Sequence, residues 1–408
     1  MPTRRQFIAG AGAVAAVSAG FGVAGWTRRT TAHRPPPLGG QPAGLPAAQH
    51  AWNGTLEHDA DGNALAPRFS RLLMLNLVAP PSRDAALLLE SALRQLERRY
   101  PWSPDGLLFA LGWGPAYFSG ALGRPSPVPP PRALSSFELP ALDHYDACLH
   151  LACNDEHRLA AVQSALMEGG ELVPAVDLRT VFELRDARTG FVGAGLPAAH
   201  QYTGGIPGGG VVPRSTPLFM GFRSGLRRNQ ATEEAVTIPA GPLAGGTTMH
   251  VSYMRLRLDD WYELLDERER VARMFAPQVS PGQAHGFTAD ARSDPAGFAA
   301  AARRHGVVGH AQATARARVA GRPRILRRDF DTVDGGQAGL HFVALQRSIA
   351  DFVATRNAMN AARAQYLNPD ITPTVNNGIN EFIFVLRRGN YAVPRRADRS
   401  FPLLGAAL

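Results

Sequence analysis

Three short segments carry the residues best suited to chemistry. His310 follows Gly309, Arg327 lies in Ile325-Leu326-Arg327-Arg328, and Ser224 lies in Gly221-Phe222-Arg223-Ser224-Gly225. A neutral imidazole offers a lone pair to a metal ion. A guanidinium is always charged, offers several donors, and can hold an anion or charge that builds up during a reaction. A serine hydroxyl donates a hydrogen bond but cannot serve as a base near neutral pH. Each residue also has a plain reading. The chain holds 12 His, with His305 close by, so His310 also reads as an exposed loop histidine. Arg327 also reads as a solvated strand arginine, and Gly221 and Gly225 as loop residues near positive φ. Gly204–Gly210 is glycine-rich but precedes no clear helix with a lysine, so it is no phosphate loop. No His/Cys/Asp set has zinc-like spacing, and no serine sits in a nucleophile elbow.

The elements that must hold these residues follow from periodicity and breakers. Arg71–Val78 is a short apolar run ended by Pro80-Pro81. Ser82 is a plausible N-cap for a helix to about Arg98, with Ala86, Leu89, Leu93 and Leu96 at helical spacing. Leu107–Gly114 and Ala147–Cys153 read as strands, Asp155–Met167 as a helix, and Leu172–Leu184 as a closing strand. That order is β-α-β-β-α-β, the ferredoxin-like arrangement. A second block repeats it. Thr247–Leu258 is its first strand, Trp261–Met274 a helix, Arg324–Thr332 and Leu340–Leu345 strands, Ser348–Tyr366 a helix, and Glu381–Arg387 the last strand. The expected fold is α+β, two tandem ferredoxin-like domains of the dimeric α/β-barrel type, with antiparallel sheets flanked by helices. Cys148 and Cys153 would lie on opposite faces of their strand, about 16 Å apart at 3.3 Å per residue. That is too far for a disulfide, so both are expected in the core.

The N-terminus reads Thr3-Arg4-Arg5-Gln6-Phe7-Ile8, followed by a Gly/Ala-rich apolar stretch to about Trp26. Paired arginines before a weak hydrophobic region mark a twin-arginine export signal. An N-terminal anchor is the alternative, because no clean cleavage site follows. The expected boundaries are a signal at 1–26, a Pro/Gly-rich linker at 27–67, one domain at 68–201, a Gly-rich join at 202–216, and a second domain at 217–408. The formal net charge is +9, and its basic side is carried wholly by arginine, since the chain has no lysine. No basic cluster is interleaved with aromatics, which argues against a nucleic-acid partner.

From about Phe69 onward the chain resembles the dye-decolorizing (DyP-type) haem peroxidases, closest to their exported deferrochelatase branch. Leu111-Gly112-Trp113-Gly114-Pro115-Ala116-Tyr117-Phe118 looks like the family's G-x-G-P-x-x-F turn. Gly241–Gly246 with Tyr253–Leu256 looks like its GG-strand-R-M segment, and Asp259-Asp260-Trp261 with Glu267 and Phe275 follows as its helix would. Ile325–Arg328, Gly339–Phe342 and Leu345–Ile349 with Phe352 complete the series. The shared order of these modest motifs makes the resemblance specific. It implies haem b in the second domain, with His310 as the axial ligand and metal site. It implies Arg327 as the distal charge, with Arg328 as the fallback. Gly221, Phe222 and Gly225 would line the cofactor site, with Leu340 and Phe342 over its distal face. The family's G-x-x-D-G aspartate falls on Ser224, so a Ser224→Asp exchange is expected to raise activity. General acid–base catalysis is typically worth about 10²–10⁴-fold. The carboxylate the family tends to place behind the axial histidine falls near Asn360, on Ala361. The implied activity is exported reduction of hydrogen peroxide with oxidation of an organic donor. The twin-arginine translocase would be a partner during export, and a homo-oligomer is compatible. The alternatives are a haem- or iron-handling protein with little turnover and a haem-less structural relative.

Overall fold

The computed structural model describes residues 42–172, 176–203, 212–285, 304–360 and 378–406. Short apolar runs bounded by breakers become strands. These are β1 (Phe69–Leu77), β2 (Leu108–Trp113), β3 (Ala141–Leu142), β4 (Ala147–Cys153), β5 (Phe182–Phe191), β6 (Thr247–Leu256), β7 (Leu326–Arg327), β8 (Phe330–Thr332), β9 (Gly339–Gln346) and β10 (Ile383–Val393). Every residue of β2 and β4 is buried, as expected of strands covered on both faces. The helices are α1 (Arg83–Arg99), α2 (Glu156–Met167), α3 (Leu196–His200), α4 (Glu233–Val236), α5 (Leu258–Glu263), α6 (Glu267–Met274), α7 (Pro281–His285), α8 (His310–Ala315) and α9 (Ile349–Met359). Ser82 caps α1, its Oγ accepting from the Ala85 N–H at 3.1 Å. The helix then turns Leu89, Leu93 and Leu96 inward.

All ten strands form one sheet, antiparallel except for the two-residue β3. In the first half the strand order is β2-β4-β1-β5, and in the second it is β8-β9-β6-β10. β5 joins β8 where Phe191 faces Asp331. β10 reaches β2 where Ala392 faces Trp113, and this closes the sheet into a barrel. The two expected domains are therefore not separate bodies, because strands of both halves share one hydrogen-bonded surface.

Several expectations need correction. The closing strand of the first half is Phe182–Phe191, later than 172–184. Its exposed and buried positions are mixed, so it lacks the continuous apolar signal used to find it. The helix expected over Trp261–Met274 is two helices. Asp266 interrupts it and caps α6 in a capping box with Glu269. The strand expected over Arg324–Thr332 is two pieces, with Arg328 and Asp329 between them. Residues 42–67, expected as linker, pack into the body with Gln49, His50 and Trp52 buried. Gln49 bonds Leu111 and Pro394 across the barrel. The signal, most of the glycine-rich join and Ala361 lie outside the described residues. Cys148 and Cys153 are both buried free thiols, as expected.

Buried charges on the closed parts of the barrel are paired. Glu97 receives Arg396 and Arg399, and Asp143 receives Arg188 at 2.9 Å and Arg387 at 3.0 Å. Among the described residues, no helix is long and apolar enough to cross a membrane.

A histidine–arginine cavity as the candidate active site

The segment Leu218–Gly225 is fastened from several sides. Asp331 Oδ2 accepts from the Phe219 N–H at 2.5 Å, Tyr262 Oη donates to Phe219 O at 2.7 Å, and Trp261 Nε1 donates to Met220 O at 3.0 Å. Asp59 binds Arg223, and Asn63 Oδ1 accepts from the Arg227 N–H at 2.7 Å. The polar stretch read as linker therefore helps shape the site. Gly221 sits at φ 88°, a conformation open to glycine, and a Cβ there would lie 3.2 Å from Tyr262 Oη. Gly225 is not in the positive-φ region expected for it.

His310 is the first residue of α8. Gly309 precedes it, and its N–H donates to Gln312 Oε1 at 2.9 Å. The chain passes so close to Phe275 that a Cβ on Gly309 would lie 2.0 Å from the Phe275 carbonyl oxygen. On another side Gly378, at φ 61°, packs on the His310 backbone, where a Cβ would lie 2.8 Å from the nitrogen. These contacts fix where the imidazole begins.

A cavity with about 1430 Å³ of empty space, partly open to solvent, lies beside these segments. Its apolar walls include Met220, Phe222, Met254, Phe275, Leu340 and Phe342. Its polar lining includes Ser224, His310, Arg327, Asp329, Asp331, Arg356 and Arg388. The structure thus brings His310, Arg327, Ser224, Phe222, Leu340 and Phe342 to one cavity wall. Gly221 and Gly225 are not on the wall; they shape the turn that presents Phe222 and Ser224. Every lining residue falls between Leu218 and Arg388.

Arg327 and Arg328 part company. Arg327 lines the cavity, and its Nε is buried without a partner. Arg328 is turned away into a closed site. Its guanidinium lies 3.9 Å from the centre of the Trp52 ring and bonds His50 O at 2.6 Å and Glu233 at 2.8 Å. His305 is exposed and is not on the cavity wall. Asn360 Nδ2 donates to Leu134 O at 3.2 Å.

Burial, reinforced by the positive charge of Arg327 and Arg356, pushes the His310 imidazole down to about 3. It is therefore neutral at ordinary pH, and its Nδ1 has no partner among the described residues. A neutral ring with a free lone pair is the form that binds a metal. Arg356 and Arg388 share Glu138; burial works against that carboxylate, but the hydrogen bond and charge of Arg388 hold it below its usual range.

Two cavity residues escaped the sequence reading. Asp329 is buried and its Oδ2 accepts from Ser224 Oγ at 2.5 Å. Burial pushes its carboxyl up, against the pull of Arg327 and the Ser224 hydroxyl. Burial pushes Asp331 well above the carboxylate range, against its bond from Phe219 and with Asp329 adding to it. The alternation Arg327-x-Asp329-x-Asp331 was the available signal, since a two-residue period puts side chains on one side of an extended chain. Among the described residues, no cluster of three or more His, Cys, Asp or Glu could hold a bare metal ion. A metal carried within an organic ligand needs only one protein nitrogen as its anchor. The unpartnered neutral imidazole, the unpartnered guanidinium and the apolar walls fit such a group.

Solved structures share this fold. A DyP-type peroxidase from Cellulomonas bogoriensis is 21% identical, with 83% of this chain and 92% of that one covered and a TM-score of 0.55. The encapsulated DyP-type peroxidase of Mycobacterium smegmatis is 16% identical over 85% and 98%, with a TM-score of 0.56. A variant of Rhodococcus jostii RHA1 DypB in complex with heme is 15% identical over 87% and 98%, with a TM-score of 0.55. No curated protein sequence matches the chain. The DyP-type architecture is therefore shared at low identity, while residues 67–395 match one sequence family directly, and the chain belongs to it: DUF7405, a family of unknown function.

Proposed function

We propose that this cavity binds haem b, and that the protein is a peroxidase that reduces hydrogen peroxide while oxidising an organic donor. The observation that carries the reading is that His310 and Arg327, each with an unpartnered buried nitrogen, line the same largely apolar cavity. The DyP-type neighbours, one of them in complex with heme, support it. Bound there, haem would supply an iron centre for peroxide and a route for oxidising equivalents. His310 would hold the iron through a ring nitrogen. Arg327 would offer fixed donors to an oxygen anion without reorganising at the moment of reaction. Met254, Leu340 and Phe342 would exclude water and strengthen those interactions. We read the same strand order in the two halves of the barrel as a duplicated ferredoxin-like unit. We also carry the export reading of Arg4-Arg5, which would deliver the protein already folded to the periplasm, cell envelope or exterior.

Titration of the purified chain with hemin tests this. A Soret band at one haem per chain is expected. His310→Ala should abolish it, and His305→Ala should leave it unchanged. A band without peroxide turnover would favour haem or iron handling. No band in the wild-type chain would leave a haem-less relative and end the proposal.

A further inference from the structure

The segment Gly221–Gly225 has a serine where the resemblance calls for an acid, yet the cavity is not without one. We propose that Asp329 is the proton acceptor of this cavity, oriented by Ser224. The inference rests on the haem reading above and adds to it a residue of this chain.

Asp329 lies on the cavity wall, between β7 and β8, two residues along from Arg327. Ser224 Oγ donates to its Oδ2 at 2.5 Å, which uses the only proton of that hydroxyl. Oδ1 is buried and has no partner among the described residues. One carboxylate oxygen is thus held and the other is free. A buried polar atom without a partner is costly to maintain, so a functional role is the first explanation to test. Asp331 lines the same wall and also keeps a free Oδ1, but its Oδ2 is taken by the Phe219 N–H, so it fastens the loop backbone, whereas Asp329 is held by a side chain of the cavity wall. Residue 224 supplies the hydroxyl and residue 329 the carboxylate.

The step is a proton transfer. A weak acid H–X, such as hydrogen peroxide or hydrogen cyanide, enters the cavity. The H–X bond breaks, an O–H bond forms at Asp329 Oδ1, and the electron pair stays on X. Arg327 balances the resulting anion. With peroxide, the held proton is then available to the departing oxygen. With cyanide it stays on Asp329, so cyanide isolates the transfer from any redox chemistry.

Cyanide association with the haem-loaded full chain, followed by the Soret shift across pH, is the test. Asp329→Asn should keep the Soret band, slow cyanide association by about 10²-fold and flatten its pH dependence, at the low end of the ~10²–10⁴-fold range of general acid–base effects. Asp329→Glu should keep the pH dependence at a reduced rate. Ser224→Asp, expected from sequence to raise activity, should instead slow association, because it sets two carboxylates against each other. A wild-type rate in Asp329→Asn overturns the assignment and leaves the haem reading standing. Loss confined to Asp331→Asn overturns it in favour of the neighbour. Loss of the Soret band in both Asp329 variants makes the residue structural and also overturns it. No band in the wild-type chain defeats both readings.

Discussion

Arg327 and Arg328 are chain neighbours with opposite surroundings. Arg328 is enclosed: an aromatic ring, a carbonyl and a carboxylate meet its guanidinium. On the same side Phe330 is fully buried in the core. Arg327 shares the cavity wall with Asp329 and Asp331, and all three keep a buried nitrogen or oxygen without a partner. Folded proteins pair most of their buried polar atoms. The closed side has unpartnered atoms too, on Arg188, Arg396 and His50 among the described residues. What sets Arg327 and Asp329 apart is that theirs belong to side chains on a cavity wall, where a partner can arrive from outside.

Acid should weaken the closed side strongly, with His310 adding to it from the cavity. Burial, with Arg328 adding to it, pushes His50 down to about 4 and His150 to about 3. In the unfolded chain these rings take up protons below about pH 6.5, while in the folded chain they stay neutral until pH falls to their lower values. Stability is therefore full above about pH 6.5 and is lost on acidification, by up to about 1.4 kcal/mol per ring per pH unit. Unfolding free energies from denaturant titrations at pH 7 and 4.5 should differ by several kcal/mol. A flat profile would mean that these histidines are not closed off.

The arginine pair gives the next largest effect. Arg328→Ala should cost about 3 kcal/mol, because partly buried Glu233 loses its charge partner and is left with the Trp52 and Asn53 N–H bonds. Arg327→Ala should cost less than about 1 kcal/mol. Equal losses in chemical denaturation would erase the distinction between the two sides.

Gly378→Ala sharpens the comparison from the cavity side. It forces a side chain into positive φ and against the His310 backbone, at about 1–3 kcal/mol. Hemin affinity should fall more than stability does. If only stability falls, the grip on His310 has no bearing on the site.

The elements with local signals were legible in the sequence. Leu72–Leu75 reads as buried strand, and Ser82 reads as a cap; both are found so. His310 and Arg327 were legible through the order of several motifs, and they do share one cavity. What was missed depends on partners far away in sequence. Gln49 reads as linker because its bonds, to Leu111 and Pro394, leave no periodic trace. Asp329 leaves no local signal, because it stands beside Ser224 in space but 105 residues away along the chain. The break between β7 and β8 that presents it follows from β9 pairing, which no local pattern encodes.

One feature of the barrel reaches beyond this site. The walls of the cavity all come from one half of the chain, and the other half holds them through a few points, Asp59, Asn63 and Phe191 among them. That half acts as a brace. Its residues answer to shape rather than to reactivity, so its sequence is free to drift while those handholds keep their reach, and new chemistry can be tried on the opposite wall without rebuilding the frame.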